Sequence, residues 1–262
     1  HDSGFTFAAL MCRWAAYVGG PVFLSDIIAN PVHCLIDQSR NAEECKTNLN
    51  ADGFGVAWYG HRPEPGLYRD VHPAWSDPNL QALSEQVKSA LFLAHVRAST
   101  GSAISRNNCH PFAVDRWSFM HNGQIGGFEA VRKSADMLIP DALYRHRRGA
   151  TDSEAFFLVA LGNGMATDTL GAVARTITTF EALATKTPKF RMTAAFSDGQ
   201  KLYAVRYASD DRAPTLYHRW SASQQGRAVV SEPFDADSGV WEEIPNRSFC
   251  IFDGQQVKVV KL

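Results

Sequence analysis

The chain of 262 residues has no apolar run near the roughly 20 residues that cross a bilayer, which excludes a membrane-spanning helix and leaves no membrane partner expected. Its early apolar stretch, GFTFAAL at 4–10, is too short for a signal-peptide core and lacks a basic flank. Neither sign of charge is in excess, 26 Lys and Arg against 27 Asp and Glu, so nucleic acid is not an expected partner. Cysteine is sparse: Cys12, Cys34, Cys45, Cys109 and Cys250. An odd, scattered set of this kind is no disulfide framework and fits reduced thiols in the cytoplasm. There is no C-x-x-C pair. Cys109 and His110 are adjacent and cannot make a metal site alone. His72, His95 and His121 can meet only through the fold and show no ligand spacing, so no metal and no other cofactor is expected. No internal repeat and no Gly/Ser-rich or Pro-rich linker divides the chain.

What is present is enough apolar residue, 45%, to bury one sizeable core. Runs at 13–19, 54–60, 90–98 and 117–125 read as strands. Two later segments, 191–207 and 247–262, each carry Asp-Gly between alternating apolar residues, a strong hairpin signal. The proline-bearing stretch 59–80 reads as a surface loop with a short strand near 67–71. Helical spacing is expected over 22–29, 79–91, 128–139, 151–164 and 169–184, the fourth opening on a capping signature of Thr151 or Asp152 ahead of Glu154. Strands, then helices, then strands again imply a layered α+β domain rather than regular βαβ alternation.

Several short motifs admit a plain and a chemical reading. Cys12 follows Met11. It is either a small buried hydrophobe or, once Met11 is gone, a thiol beside its own α-amine. Such an amine has a pKa near 7.7–8.0 and can act as a base at neutral pH. NADGFGVAWY at 50–59 is a tight turn feeding a strand. Arg97, in AHVRAST, is either a strand-end arginine in solvent or a guanidinium able to grip a carboxylate with two bonds. Asn122-Gly123, in HNG, is first a turn signal. The same pair can also offer a side-chain amide and a backbone N–H to an oxyanion, with glycine permitting close approach. Asp152, in TDSE, is either a helix cap or a carboxylate for a substrate ammonium.

Taken together, an early Cys, then NADGFG, HVRAST, HPF, HNG and TDSE, in this order and at these separations, resemble the class II, N-terminal-cysteine glutamine amidotransferases. Within them the chain looks most like the stand-alone bacterial subgroup that begins Met-Cys-Arg. The likeness runs from Met11 almost to the C-terminus and includes CLIDQS at 34–39, VVSEPFD at 229–235 and WEEIP at 241–245. It implies the N-terminal-nucleophile hydrolase fold, a four-layer αββα sandwich of two antiparallel sheets. It also implies Cys12 as nucleophile with its α-amine as base, Asn122 and Gly123 as the oxyanion hole, Arg97 for the α-carboxylate of glutamine and Asp152 for its α-amine.

The implied substrate is glutamine or a γ-glutamyl small molecule, and a separate ammonia-using synthase subunit is an implied partner. Stand-alone relatives include γ-glutamyl amidohydrolases of ergothioneine synthesis and of glutathione breakdown. Arg13 and Trp14 depart from the Gly-Ile that follows the nucleophile in many fused enzymes. A non-catalytic γ-glutamyl-binding sensor or partner subunit, and a cysteine amidase acting on other acyl amides, are the competing readings. Residues 1–11 are expected to be an extension (an early start, a vector remnant or a propeptide) ahead of a glutamine amidotransferase domain at 12–262.

Overall fold

A computed structural model describes residues 12–43, 49–99, 103–183, 189–235 and 240–262. Residues 1–11 and Cys45 lie outside them. The strands are β1 (Arg13–Phe23), β2 (Phe54–Trp58), β3 (Gly66–Asp70), β4 (Lys88–Val96), β5 (Phe112–Val114), β6 (Trp117–Gln124), β7 (Arg191–Ser197), β8 (Leu202–Ala208), β9 (Tyr217–Ser221), β10 (Gly226–Val230), β11 (Glu242–Glu243), β12 (Ser248–Asp253) and β13 (Gln256–Lys261). The helices are α1 (Ser25–Ile28), α2 (Leu35–Gln38), α3 (Pro78–Gln86), α4 (Phe128–Asp136), α5 (Asp141–Tyr144), α6 (Asp152–Gly162) and α7 (Thr169–Leu183). Among the described residues no helix is long and apolar enough to cross a membrane.

One sheet runs β11-β9-β10-β1-β4-β2-β3 and the other β13-β12-β8-β7-β6-β5, with antiparallel pairing throughout. The period of two along each strand sorts its side chains between layers. On β1, Trp14, Ala16 and Val18 enter the layer between the sheets, while Ala15 and Tyr17 face the layer holding α1, α2 and α3. On the second sheet, Leu202 and Ala204 face inward, while Tyr203, Val205 and Tyr207 join the α4, α6 and α7 core. Both faces of the central strands are therefore buried, which is why those strands read as near-continuous apolar runs rather than clean alternations. The result is the αββα order implied by the resemblance.

The Asp-Gly hairpins form as expected, β7–β8 turning at Asp198-Gly199 and β12–β13 at Gly254. Two helical expectations are shortened. Over 79–91 the helix ends at Gln86, and β4 begins at Lys88, paired with Phe23 of β1. Val87 and Ala90 suit either periodicity, and the vacant edge of β1 decides for strand. Over 22–29 the strand takes Val22 and Phe23, leaving only one turn for α1. The hairpin β9–β10 is not apparent in the sequence, because its connection ASQQ carries no Asn-Gly or Asp-Gly signal.

Candidate active site

Cys12 stands half-buried at the head of β1. The β1–β4 register pairs Arg13 with Val96, which sets Cys12 beside the residues that follow β4. Its Sγ lies 3.4 Å from the Ala98 amide nitrogen and 3.5 Å from the Ala98 oxygen. Arg97, buried to 3%, is clasped by the NADG turn: its amide donates to the Gly53 carbonyl (2.8 Å) and its own carbonyl accepts from Asp52 (3.0 Å). The guanidinium donates to the Asp52 carbonyl (3.3 Å) and the Ser99 hydroxyl (3.2 Å), and the Ser99 amide donates to the Asp52 carboxylate (2.7 Å). Arg97 is thus not a solvent-facing strand end; the turn holds its head in one orientation.

The second sheet contributes Asn122 and Gly123, which sit within β6, in register with Thr193 and Met192 of β7, rather than in a turn. Gly123 adopts φ +137°, and a Cβ there would run into the Arg191 carbonyl, so no other residue fits. The Asn122 side chain is 1% exposed, and neither its nitrogen nor its oxygen has a hydrogen-bond partner among the described residues. Such an orphaned amide is costly in a folded interior and needs a reason.

Two ties join the two sheets' contributions, and a third bond joins the second sheet to α6. Trp14, two residues after Cys12, donates its indole N–H to the Thr193 hydroxyl (3.3 Å), and that hydroxyl faces the Asn122 carbonyl (3.5 Å). His95, two residues before Arg97, donates from Nε2 to the His121 carbonyl (3.3 Å). His121 Nδ1 is hydrogen-bonded to the Ser153 hydroxyl (2.8 Å), at the start of α6.

Asp152 opens α6, but the cap is Thr151, whose hydroxyl accepts from the Glu154 amide (3.2 Å). Asp152 accepts from the Ile125 amide (2.8 Å), three residues past Asn122, and from the Ser153 amide (2.8 Å). Glu154 is buried and reaches beyond the cap to the amides of Arg148 (3.1 Å) and Gly149 (2.8 Å), with Arg147 against it (3.0 Å). That anchorage holds the approach to α6, and with it Asp152. The five residues singled out in the sequence thus converge on one end of the two packed sheets.

Other buried polar groups at this end were not legible as site residues. Arg13, fully buried, pairs through Nε with Glu232 (2.7 Å) and donates from Nη1 to the Cys12 carbonyl (3.1 Å). Glu232 also meets His33 Nε2 (2.5 Å) and the Glu43 amide (2.9 Å). The available signal was a carboxylate inside the apolar run AVVSEPF, which demands a buried cation. His95 and His121 do approach one another, joined by His110 and not by His72, which bonds to Asp70 instead. Burial drives the His95 imidazole down to about 3, with the Arg97 charge adding to the effect. Burial likewise pushes His110 well below the ordinary histidine range and lowers His121, against the opposing pull of Asp152. These rings are neutral around neutral pH.

Two packed antiparallel sheets with this end-on cluster define a class, and the comparisons agree with it. The chain belongs to the class II glutamine amidotransferases, an enzyme family that it matches over residues 30–245. It is 30% identical to a probable glutamine amidotransferase, DUG3, of Saccharomyces cerevisiae, over 94% of this chain and 83% of that protein. It is 27% identical to the γ-glutamyl-hercynylcysteine sulfoxide hydrolase of Mycolicibacterium smegmatis, over 90% of this chain and 93% of that one. A solved glutamine aminotransferase class-II domain protein from Silicibacter pomeroyi shares 47% identity and a TM-score of 0.77, covering 96% of this chain and 99% of its own. The glutamine phosphoribosylpyrophosphate amidotransferase of B. subtilis, 12% identical, shares the fold, with a TM-score of 0.67 over 95% of this chain and 49% of its own.

Proposed function

We propose that this chain hydrolyses the side-chain amide of glutamine, or the amide of a γ-glutamyl compound, through a γ-glutamyl thioester on Cys12. The observation that carries the reading is the buried Asn122 amide, without a partner among the described residues, on β6, whose neighbour β7 is tied to the Cys12 strand by the Trp14–Thr193 bond. An unfilled donor there suits an oxygen that arrives with substrate and gains charge during reaction.

The steps follow from the residue chemistry. With Cys12 at the chain terminus, its α-amine takes the thiol proton, directly or through water, and the thiolate attacks the amide carbon. The carbonyl oxygen becomes an oxyanion, stabilised by the Asn122 amide and the Gly123 N–H. On collapse the C–N bond breaks, and the protonated amine gives its proton to the leaving nitrogen, releasing ammonia or an amine. Water then adds to the thioester with the same amine as base, freeing glutamate and restoring the thiol. The substrate head is a zwitterion; Arg97 takes its carboxylate and Asp152 its ammonium.

The test is release of ammonia and glutamate from L-glutamine by two forms, one starting at His1 and one at Cys12, with Cys12→Ala as blank. An amide nitrogen at Cys12 is no base, so only the Cys12-initiated form is expected to turn over. Equal turnover by both removes the amine-as-base account. Inactivity of both on glutamine, with cleavage of γ-glutamyl peptides or amides, narrows the substrate. Activity that appears only on adding an ammonia-using synthase identifies a partner subunit. No thioester with any γ-glutamyl donor, despite binding, favours the sensor reading.

A further inference from the structure

The residue next to the nucleophile carries a buried charge that the steps above do not use. Arg13 is fully buried, its Nη1 donates to the Cys12 carbonyl at 3.1 Å and its Nε to Glu232 at 2.7 Å. Glu232 is 2% exposed and comes from the far side of β1, just past β10. A buried ion pair is rarely worth its desolvation as a source of stability alone. This one fastens the single carbonyl that shares its Cα with the thiol and the proposed base.

We propose that Arg13, held by Glu232, is a positioning residue for Cys12: it pins the Cys12 carbonyl and places a fixed positive charge beside the amine and thiol, so that both lose their protons at lower pH. The proposal rests on the reading of Cys12 as the reactive N-terminal residue. Within one residue, the amine nitrogen and the carbonyl oxygen are at most about 3.6 Å apart by bond geometry. The guanidinium nitrogen that bonds this carbonyl is therefore within about 7 Å of the amine, and the bond to the carbonyl comes from the positive partner of the pair. A cation in this position disfavours an ammonium and favours a thiolate.

Among the described residues, the second sheet's side brings the Asp152 carboxylate, bonded to the Ile125 amide, and the other charged groups around Cys12 come from two sides of its own sheet. From the β10 and α2 side come Arg13, Glu232 and His33, with Asp37 and Glu43 beyond. From the β4 and β2 side come Arg97 and Asp52. Burial alone would lower the His33 imidazole, but its hydrogen bond to Glu232 and that carboxylate's charge outweigh burial and raise it.

The experiment is the rate of carbamidomethylation of Cys12 by iodoacetamide against pH, read by peptide mass on chains that start at Cys12. L-glutamine turnover is measured alongside. Arg13→Gln is expected to move the half-point of the alkylation profile up by about 0.5–1 pH unit, and Glu232→Gln to move it down. Arg13→Lys keeps the charge, so its half-point stays near that of the unaltered chain while turnover slows. Arg13→Gln leaves the buried Glu232 without its arginine, which threatens folding; the doubly neutral Arg13→Gln/Glu232→Gln chain avoids that and is expected to shift upward by less. Since the His33 imidazole on Glu232 is raised and changes charge with pH, the opposed shifts must persist in a His33→Gln background. Half-points that coincide in every folded form, with only turnover or melting temperature altered, would overturn the proposal. Alkylation needs no substrate, so a failure of the glutamine reading appears separately, as absent turnover with the shifts intact.

Discussion

At the scale of single residues, Asn122 gives the sharpest test. Its amide has no partner among the described residues to lose, so Asn122→Ala is expected to leave stability unchanged or raised, while kcat falls by about 10²–10³ at similar KM. A calorimetric scan beside steady-state kinetics separates the two effects; a large loss of stability with normal kcat sinks the oxyanion assignment. Arg97 is oriented by Asp52 and Ser99, and a lysine cannot reproduce a planar two-bond grip. Arg97→Lys is therefore expected to raise KM by about tenfold or more with little effect on kcat, a split visible in a substrate titration.

At the scale of elements, β6 couples core to site. Three residues before Asn122, Phe119 stacks on Phe157 at 5.2 Å between ring centroids, with Phe156 and Phe196 at 6.0 and 6.1 Å. Phe119→Ala is expected to cost about 3–5 kcal/mol in urea unfolding, through the lost burial and the cavity left behind. The link between the sheets is finer. Thr193→Val keeps the shape but removes the acceptor for Trp14, and should cost about 1 kcal/mol of stability and a several-fold drop in kcat/KM. An unchanged kcat/KM would show that the Trp14–Thr193 bond does not align β1 with β7 and, through it, β6.

At the scale of the whole molecule, buried neutral histidines set the acid limit. His95, His110 and His121 have folded-state pKa values below the unfolded value of 6.5, His95 at about 3. The unfolded chain takes up their protons first as pH falls, so stability is complete above pH 6.5 and is lost below it. Each ring contributes a slope of about 1.4 kcal/mol per pH unit until its folded form also protonates. His33, which is raised, has the opposite sign, contributing stability that is lost as pH climbs above 6.5. Urea melts at pH 7.5, 6.0 and 5.0 are expected to show a steep fall, shallower in His110→Phe. A flat profile between pH 6.5 and 5 would mean that these rings are not buried neutral.

Much of this protein was legible in the linear chain because the relevant physics is local. Apolar runs, two Asp-Gly turns and the capped start of α6 determined most strands, two hairpins and the place of Asp152. The order of Cys12, Arg97, Asn122, Gly123 and Asp152 carried the resemblance to the family. Tertiary structure decided the rest. Whether 87–91 became helix or strand depended on the open edge of β1. Asn122-Gly123 admitted both the end of the strand run at 117–125 and a turn, and pairing with β7 decided for strand. The buried Arg13–Glu232 pair spans 219 positions of sequence, and neither residue's neighbours name the other. A buried charge announces that it needs a partner, but only the packed fold decides which one it meets.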